Sequence, residues 1–276
     1  MSNNNISERK KTKKLRPLFK IHGGKSYLHT WIINFLPENY TDLEYLEPYA
    51  GAASVLLNKL PSKEEIINDI DSGVANLLRI IRDQTEEFLD IIKTISYCKK
   101  NFNLALEKKE FTNELEEAVN EFIIRRMSRG GLKETFAWSD RLRGGQPGEI
   151  NAWKTIIKSI PVIAERLKDV FITNKPAIRV IKAFDDINCL AYIDPPYLHE
   201  TRVSTQAYQF EMSTADHVEL AGVLNNFKGK VIISGYASSL YEKLYKNWRC
   251  ENKQIANHSS QQKIKPIKTE CLWLNY

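Results

Sequence analysis

The stretch "AYIDPPYLHE", residues 191–200, constrains this chain more than any other: an apolar run that reads as a buried strand stops on a carboxylate, two prolines and a tyrosine. Each proline fixes φ and removes a donor, so Pro195 and Pro196 hold a short rigid segment just past the strand end. Open α/β sheets place ligands beyond the carboxyl ends of their strands. The segment is therefore expected to present the Asp194 carboxylate, backbone carbonyls and the Tyr197 ring to a planar ligand. The competing reading is a strand-ending turn with an aspartate cap. Paired prolines followed at once by an aromatic are uncommon there, which favours the ligand site.

The rest of the chain supplies the sheet. Strands are predicted at 43–49, 65–70, 169–173, 189–194, 230–235 and 271–275. Helices are predicted through "AASVLLNKL", through "VANLLRIIRD" and across Val218, Leu220, Ala221 and Leu224. Strands alternating with helices favour a parallel α/β sheet. The middle differs. From about 85 to 168 strand signals are scarce, while Leu115, Ala118, Val119, Phe122, Ile123 and Met127 share one helical face. The Gly/Arg-rich "SRGGLKETFAWSDRLRGGQPGE" and the helix-like "NAWKTIIKSIPVIAERL" follow. The expected organisation is an α/β domain from 17–84 and 165–276, a helical insertion at 85–164, and a basic, flexible N-terminus at 1–16.

Charge and cysteine usage narrow the class. Lys and Arg total 40 against 34 Asp and Glu, a formal charge of +6, which permits a polyanionic partner. The basic residues cluster, in "ERKKTKKLR" and in "RRMSRGGLKETFAWSDRLRGG". The four cysteines are scattered without a CxxC pair, so no structural metal and no disulfide framework is expected. No apolar segment reads as a signal peptide or a membrane span, and a cytoplasmic protein with no membrane partner is the expectation.

Further places carry chemistry. In "YLEPYAGAASVLL" (45–57) a strand feeds an aromatic and a small-residue turn, which admits a ligand to the backbone or is an ordinary turn. The next strand ends in "IINDID". Asp69, 18 residues after Gly51, suits ribose hydroxyls, whereas Asp71 suits the cap of the following helix. In "FKIHGGKSYL" (19–28), Gly23, Gly24 and Lys25 form either a carboxylate or phosphate contact or a surface turn before a helix.

Taken together, "HGGK", "EPYAG", "NDID", a basic insertion and "DPPY", in that order, resemble the Dam-type N6-adenine DNA methyltransferases. "KVIISGY" and "CLWLN" are similar to that family's late strands. The resemblance implies a Rossmann-like fold dependent on S-adenosyl-L-methionine (AdoMet), with a target-recognition insertion. Carried over by position, it implies that Gly23, Gly24 and Lys25 hold the methionine end of the cofactor. Tyr49 and Gly51 would line it, Asp69 would bind its ribose, and Asp194 would border it while acting on the adenine. Tyr197 would stack on that base. Ile21 stands where the family often has an aromatic residue, and Ala53 where it often has a second glycine.

The chemistry suits these groups. The adenine N6 lone pair is delocalised into the ring. Two acceptors at its hydrogens, the Asp194 carboxylate and the Pro195 carbonyl, favour a tetrahedral nitrogen and stabilise the positive charge that grows on it. A base within double-stranded DNA must flip out to reach such a site. Arg125, Arg126, Arg129, Lys133, Arg141 and Arg143 are expected to contact DNA, mostly at phosphates. The loop 198–210 is expected to order over the flipped base with Tyr208 packing inward. A cognate restriction endonuclease is a conceivable partner. The alternatives are methylation of cytosine N4 or of RNA adenine, a catalytically silent DNA-binding scaffold, and, most remotely, a dehydrogenase, for which no G-x-G-x-x-G is present.

Overall fold

A computed structural model describes residues 14–202, 209–256 and 267–276. The apolar runs form strands β1 (Glu44–Glu47), β2 (Glu64–Asn68), β5 (Val170–Thr173), β6 (Cys189–Ile193) and β7 (Lys230–Tyr236). Two longer strands, β8 (Arg249–Ala256) and β9 (Ile267–Leu274), follow them. They lie in the order β5-β2-β1-β6-β7-β9-β8. Pairing is parallel from β5 through β7, and β9 runs antiparallel to both β7 and β8. This is a doubly wound α/β sheet, the class the alternating pattern predicted. Every residue of β6 is buried, as expected of a central parallel strand covered on both faces. At the edge, Phe171 of β5 is exposed.

Helix α1 (His29–Ile33) precedes β1, and α2 (Ser72–Asp83) follows β2. Asp71 caps α2, its Oδ1 accepting from the backbone N–H of Gly73 at 3.0 Å and of Val74 at 3.4 Å. Helices α3 (Thr85–Ile92), α4 (Lys99–Glu107), α5 (Glu114–Met127) and α6 (Gly148–Leu167) make up the helical middle of the chain. A small hairpin, β3 (Leu142–Arg143) and β4 (Gln146–Pro147), projects between α5 and α6. Helices α7 (Ala177–Ala183), α8 (Thr214–Leu224) and α9 (Ser239–Leu244) complete the wrapping, with a Ser213–Asp216 capping box starting α8.

The helical middle shares its core with the sheet. Phe122 of α5 meets Phe88 edge-on at 5.5 Å and Trp153 at 5.3 Å, and these rings pack in one apolar cluster with Val74, Leu77 and Ile67. The apolar face predicted at 115–127 is thus the face that docks α5 on the sheet's flanking helix.

Two sequence expectations are corrected. No α-helix covers "AASVLLNKL"; Leu56–Asn58 form a single 3₁₀ turn. Local side-chain bonds compete there with helical continuation. Glu47 accepts from the Leu56 N–H at 3.2 Å, and Asn58 exchanges bonds with the backbone of Leu15. The second correction is β8, whose polar sequence "RCENKQIA" carries no apolar alternation. It forms because β9 offers it a complete antiparallel ladder from Arg249 to Ala256.

The insertion also touches the N-terminal segment directly. Gly131 has φ +75°, and a Cβ built on it lies 2.0 Å from the Lys20 carbonyl oxygen. Gly145 has φ +77° with open space around it. Gly145→Ala is expected to lose only the left-handed backbone cost, about 1–2 kcal/mol. Gly131→Ala adds a backbone collision and is expected to lose clearly more. Urea denaturation of both variants checks this ordering.

Candidate active site

The sheet order reverses between β1 and β6, and a cavity opens at their carboxyl ends. Its walls come from separate stretches of the sequence: Ile21–Lys25, the turn after β1, Asp69–Asp71 after β2, and Asp194–Pro196 after β6. The turn after β1, Asp69–Asp71 and Asp194–Pro196 converge because parallel strands end on one edge, and Ile21–Lys25 joins them there. The insertion contributes too, through Arg125, Gly131, Leu132 and Lys133.

The turn after β1 is held by Asp69. Its Oδ2 accepts from the Gly51 N–H at 2.7 Å and its Oδ1 from the Asp71 N–H at 2.9 Å. Burial pushes the Asp69 carboxyl up to about 6, against the pull of these two bonds. Gly51 has φ +49°, and so does Ala53, which adopts a left-handed conformation that glycine takes more easily. Ile21 packs its side chain against Gly51. Tyr49 lines the cavity, and burial raises its hydroxyl well above the usual range.

At the other end stands Asp194. Its Oδ1 accepts from Ser234 Oγ at 2.7 Å and lies 2.7 Å from Lys25 Nζ. Lys25 is buried and donates also to the Gly23 carbonyl at 2.9 Å. Its Nζ lies 4.6 Å from the centre of the Tyr197 ring. Tyr197 is 5% exposed, turned into the protein against Tyr236 with ring centres 4.8 Å apart, and its hydroxyl donates to Glu270. It is not among the residues that line the cavity. His217, fully buried on α8, bonds the Tyr241 hydroxyl at 3.0 Å.

The expected DNA contacts separate. Arg125 is 4% exposed, pairing with Asp71 at 2.6 Å and with Glu121 at 2.5 Å. It stands in the cavity wall, away from the surface position expected of a DNA contact. Lys133 pairs with the same Glu121 at 2.5 Å. Arg126 is half-buried and donates to the Ala152 carbonyl at 3.3 Å. Arg129, Arg141 and Arg143 are exposed. Arg126, Arg141 and Arg143 line a second cleft with Lys14, Arg16 and Lys20, next to the first along Ile21 and Gly24. Tyr208 lies outside the described residues.

Several site residues escaped the sequence reading. Glu47 is buried in the cavity wall, accepting from Tyr45 OH at 3.0 Å; burial pushes its carboxyl up to about 8. Its place in "EPYAG" was the available signal. Ser234, Glu270 and His217 carried none, because single polar residues in apolar runs do not announce their partners.

A doubly wound sheet of this order, with its cavity at the switch point and a carboxylate at each end, defines an AdoMet-dependent methyltransferase fold. The D12 class N6 adenine-specific DNA methyltransferase family matches residues 22–264, and the chain belongs to that family. It transfers a methyl group from AdoMet to N6 of adenine in DNA. The chain is similar to the Type II methyltransferase M1.LlaDCHI of Lactococcus lactis subsp. cremoris, 27% identical over 95% of this chain and 96% of that protein. Among solved structures, a SAM-dependent methyltransferase from Agrobacterium tumefaciens aligns at TM-score 0.40 and 9% identity, over 94% of this chain and 63% of that one. The rRNA methyltransferase aviRa of Streptomyces viridochromogenes aligns at 0.39 and 11%, over 94% and 88%. At those scores neither adds to what the sheet order states. Among the described residues, no cluster of His, Cys, Asp and Glu is placed to hold a metal, and no helix is long and apolar enough to cross a membrane.

The burial of Arg125 gives a prediction. Removing one partner of a buried ion pair leaves the other uncompensated, so Arg125→Ala is expected to lose about 3 kcal/mol or more. Arg143→Ala, on the exposed hairpin, is expected to stay within about 0.5 kcal/mol and to weaken DNA binding instead. Denaturant melts and DNA titrations on both variants separate the two roles.

Proposed function

We propose that methyl transfer in this protein is carried by Asp194 and the backbone of Pro195, acting on an adenine flipped out of double-stranded DNA. The observation that carries the reading is the single cavity bounded by Asp69 at one end and Asp194 at the other. The residues present fit AdoMet: a carboxylate acceptor for ribose hydroxyls, a close backbone turn at Gly51, apolar cover from Ile21 and Val55, and negative charge at Asp194 for a sulfonium. The bound cofactor supplies an electrophilic methyl on a positively charged sulfur.

Asp69 accepts the ribose hydroxyls. Asp194 orients and polarises the amine. Its Oδ1 already accepts from Ser234 and pairs with Lys25, which directs Oδ2 to the incoming N6–H. The carboxylate then stabilises the positive charge growing on nitrogen and takes up the proton released on methylation. Pro195 and Pro196 keep the acceptors in place before the base arrives, so little reorganisation is needed at the moment of transfer. Tyr197 offers the stacking face once its ring turns outward from Glu270, and Gly23, Gly24 and Lys25 hold the cofactor's methionine end.

Residues 85–164 form the target-recognition unit, with Arg126, Arg129, Arg141 and Arg143 supplying phosphate and base contacts. The similarity to a Type II methyltransferase supports a cognate restriction endonuclease as partner, and with it a cytoplasmic enzyme held on DNA. No metal takes part in this reading.

Asp194→Ala is expected to abolish N6-methyladenine formation on unmethylated genomic DNA while leaving AdoMet affinity within a few-fold. Nucleoside mass spectrometry and calorimetry read the two, and full residual activity would falsify the assignment. Asp69 accepts hydroxyls best as the anion, and its carboxyl sits at about 6. AdoMet affinity is therefore expected to be flat above pH 7 and to fall as pH drops through 6. Asp69→Asn is expected to bind roughly ten- to a hundred-fold more weakly with that pH dependence gone. A wild-type affinity unchanged between pH 5 and 8 would rule out the ribose role.

A further inference from the structure

The proline turn is served by a buried cation with more than one carboxylate beside it. Lys25 Nζ lies 2.7 Å from Asp194 Oδ1 and 3.9 Å from Glu270 Oε1. Glu270, on β9, is 1% exposed, and its carboxylate also accepts from the Tyr197 hydroxyl. Nothing in the reaction as derived above uses it. A buried carboxylate next to the reacting group, on the antiparallel strand that ends the sheet's parallel run, calls for a role.

We propose that Glu270 is a positioning residue for transfer: by sharing Lys25 with Asp194, it governs how much negative charge Asp194 keeps for the adenine amine. With Glu270 ionised, the lysine's charge is divided and Asp194 remains a strong acceptor. With Glu270 neutral, Lys25 neutralises Asp194 alone and the amine meets a weaker acceptor. Tyr197 donates to the same carboxylate before the base arrives, and once its ring turns outward the charge of Lys25 keeps Glu270 in place. The inference rests on the role proposed for Asp194.

The surroundings support a titratable switch. Burial pushes the Glu270 carboxyl up to about 7, Asp194 adds to the rise, and Lys25, the Tyr197 bond and Lys268 pull against it. The other groups facing it are the hydroxyls of Tyr192 from β6 and Tyr236 from β7 and the Cys271 thiol beside it, each raised chiefly by burial and so neutral through this range. Glu270 is thus protonated below pH 7 and charged above it. Transfer is expected to be slow at pH 6 and to rise to a plateau by pH 8.5.

The test is single-turnover methyl transfer on a preformed complex of full-length enzyme, duplex DNA and saturating AdoMet, from pH 6 to 9. Saturation removes the Asp69 effect on cofactor binding from the rate. Glu270→Gln is expected to run roughly tenfold slower than wild type at pH 8.5 and to lose the acid limb. Its AdoMet dissociation constant is expected to stay within about twofold. Glu270→Asp, which keeps the charge, is expected to restore a limb. A Glu270→Gln enzyme as fast as wild type, or slower with the limb intact, overturns the proposal, the latter by showing a merely structural loss. If that variant does not fold, a wild-type rate without an acid limb near neutral pH overturns it equally. Absence of transfer by wild type at every pH counts against the function proposed above, whereas these outcomes address Glu270 alone.

Discussion

The pairing of β1 with β6 is the constraint on which the rest of the molecule depends. Its register sets Leu46 against Ala191, so both strands run out at the same edge and their next residues leave the sheet side by side. Glu47 and the small-residue turn then stand next to Tyr192 and Asp194 in one cavity wall. Parallel strands cannot be joined by a tight turn, so each must return through a long crossover. Those crossovers lie on opposite sides of the β1–β6 boundary, and the gap between them is the site. Nothing in the cavity has to be assembled by a flexible loop alone.

The walls of that gap are fastened by buried charge. On one side Arg125 joins α5 to the α2 cap through Asp71. Farther from the cavity, toward the amino end of β2, Lys59 and Arg166 both pair with Glu65, and Arg166 also donates to the Leu56 carbonyl at 2.8 Å, tying the segment after β1 to α6. Burial pushes the Glu65 carboxyl up, and Arg166 and Lys59 more than reverse it. Desolvation of such groups offsets much of their attraction, so they add little net stability. What they add is geometry, since each charge has one low-energy arrangement. The apolar cluster shared by sheet and insertion supplies the stability.

The sequence made the sheet and the proline motif legible, because buried parallel strands are continuous apolar runs and prolines punctuate them. It hid the interactions that depend on a distant partner. Arg125 reads as one more positive residue in a basic stretch, and only the approach of Asp71, 54 residues earlier, turns it inward. Tyr197 reads as an exposed stacking face beside two prolines, yet Glu270, 73 residues later, draws its hydroxyl inward. The 3₁₀ turn at Leu56–Asn58 follows the same rule. Its residues have helical propensity, but Glu47 takes the Leu56 N–H and the Asn58 side chain takes the Ser54 carbonyl, backbone groups that a helix would pair with each other. β8 was hidden for a related reason, since a polar strand is specified by its neighbour's ladder.

The charge around Lys25 links these features to the reaction. One buried ammonium facing Asp194 and Glu270 gives a pocket that is negative when both carboxylates are ionised. In the reaction proposed above, loss of positive charge at the sulfur coincides with its gain at the amine, so the acceptor that faces the sulfonium would also stabilise the aminium without being rebuilt between the two. A site whose negative charge is set by Glu270, held by a buried lysine and closed by prolines, can serve both steps of the proposed reaction with the same atoms.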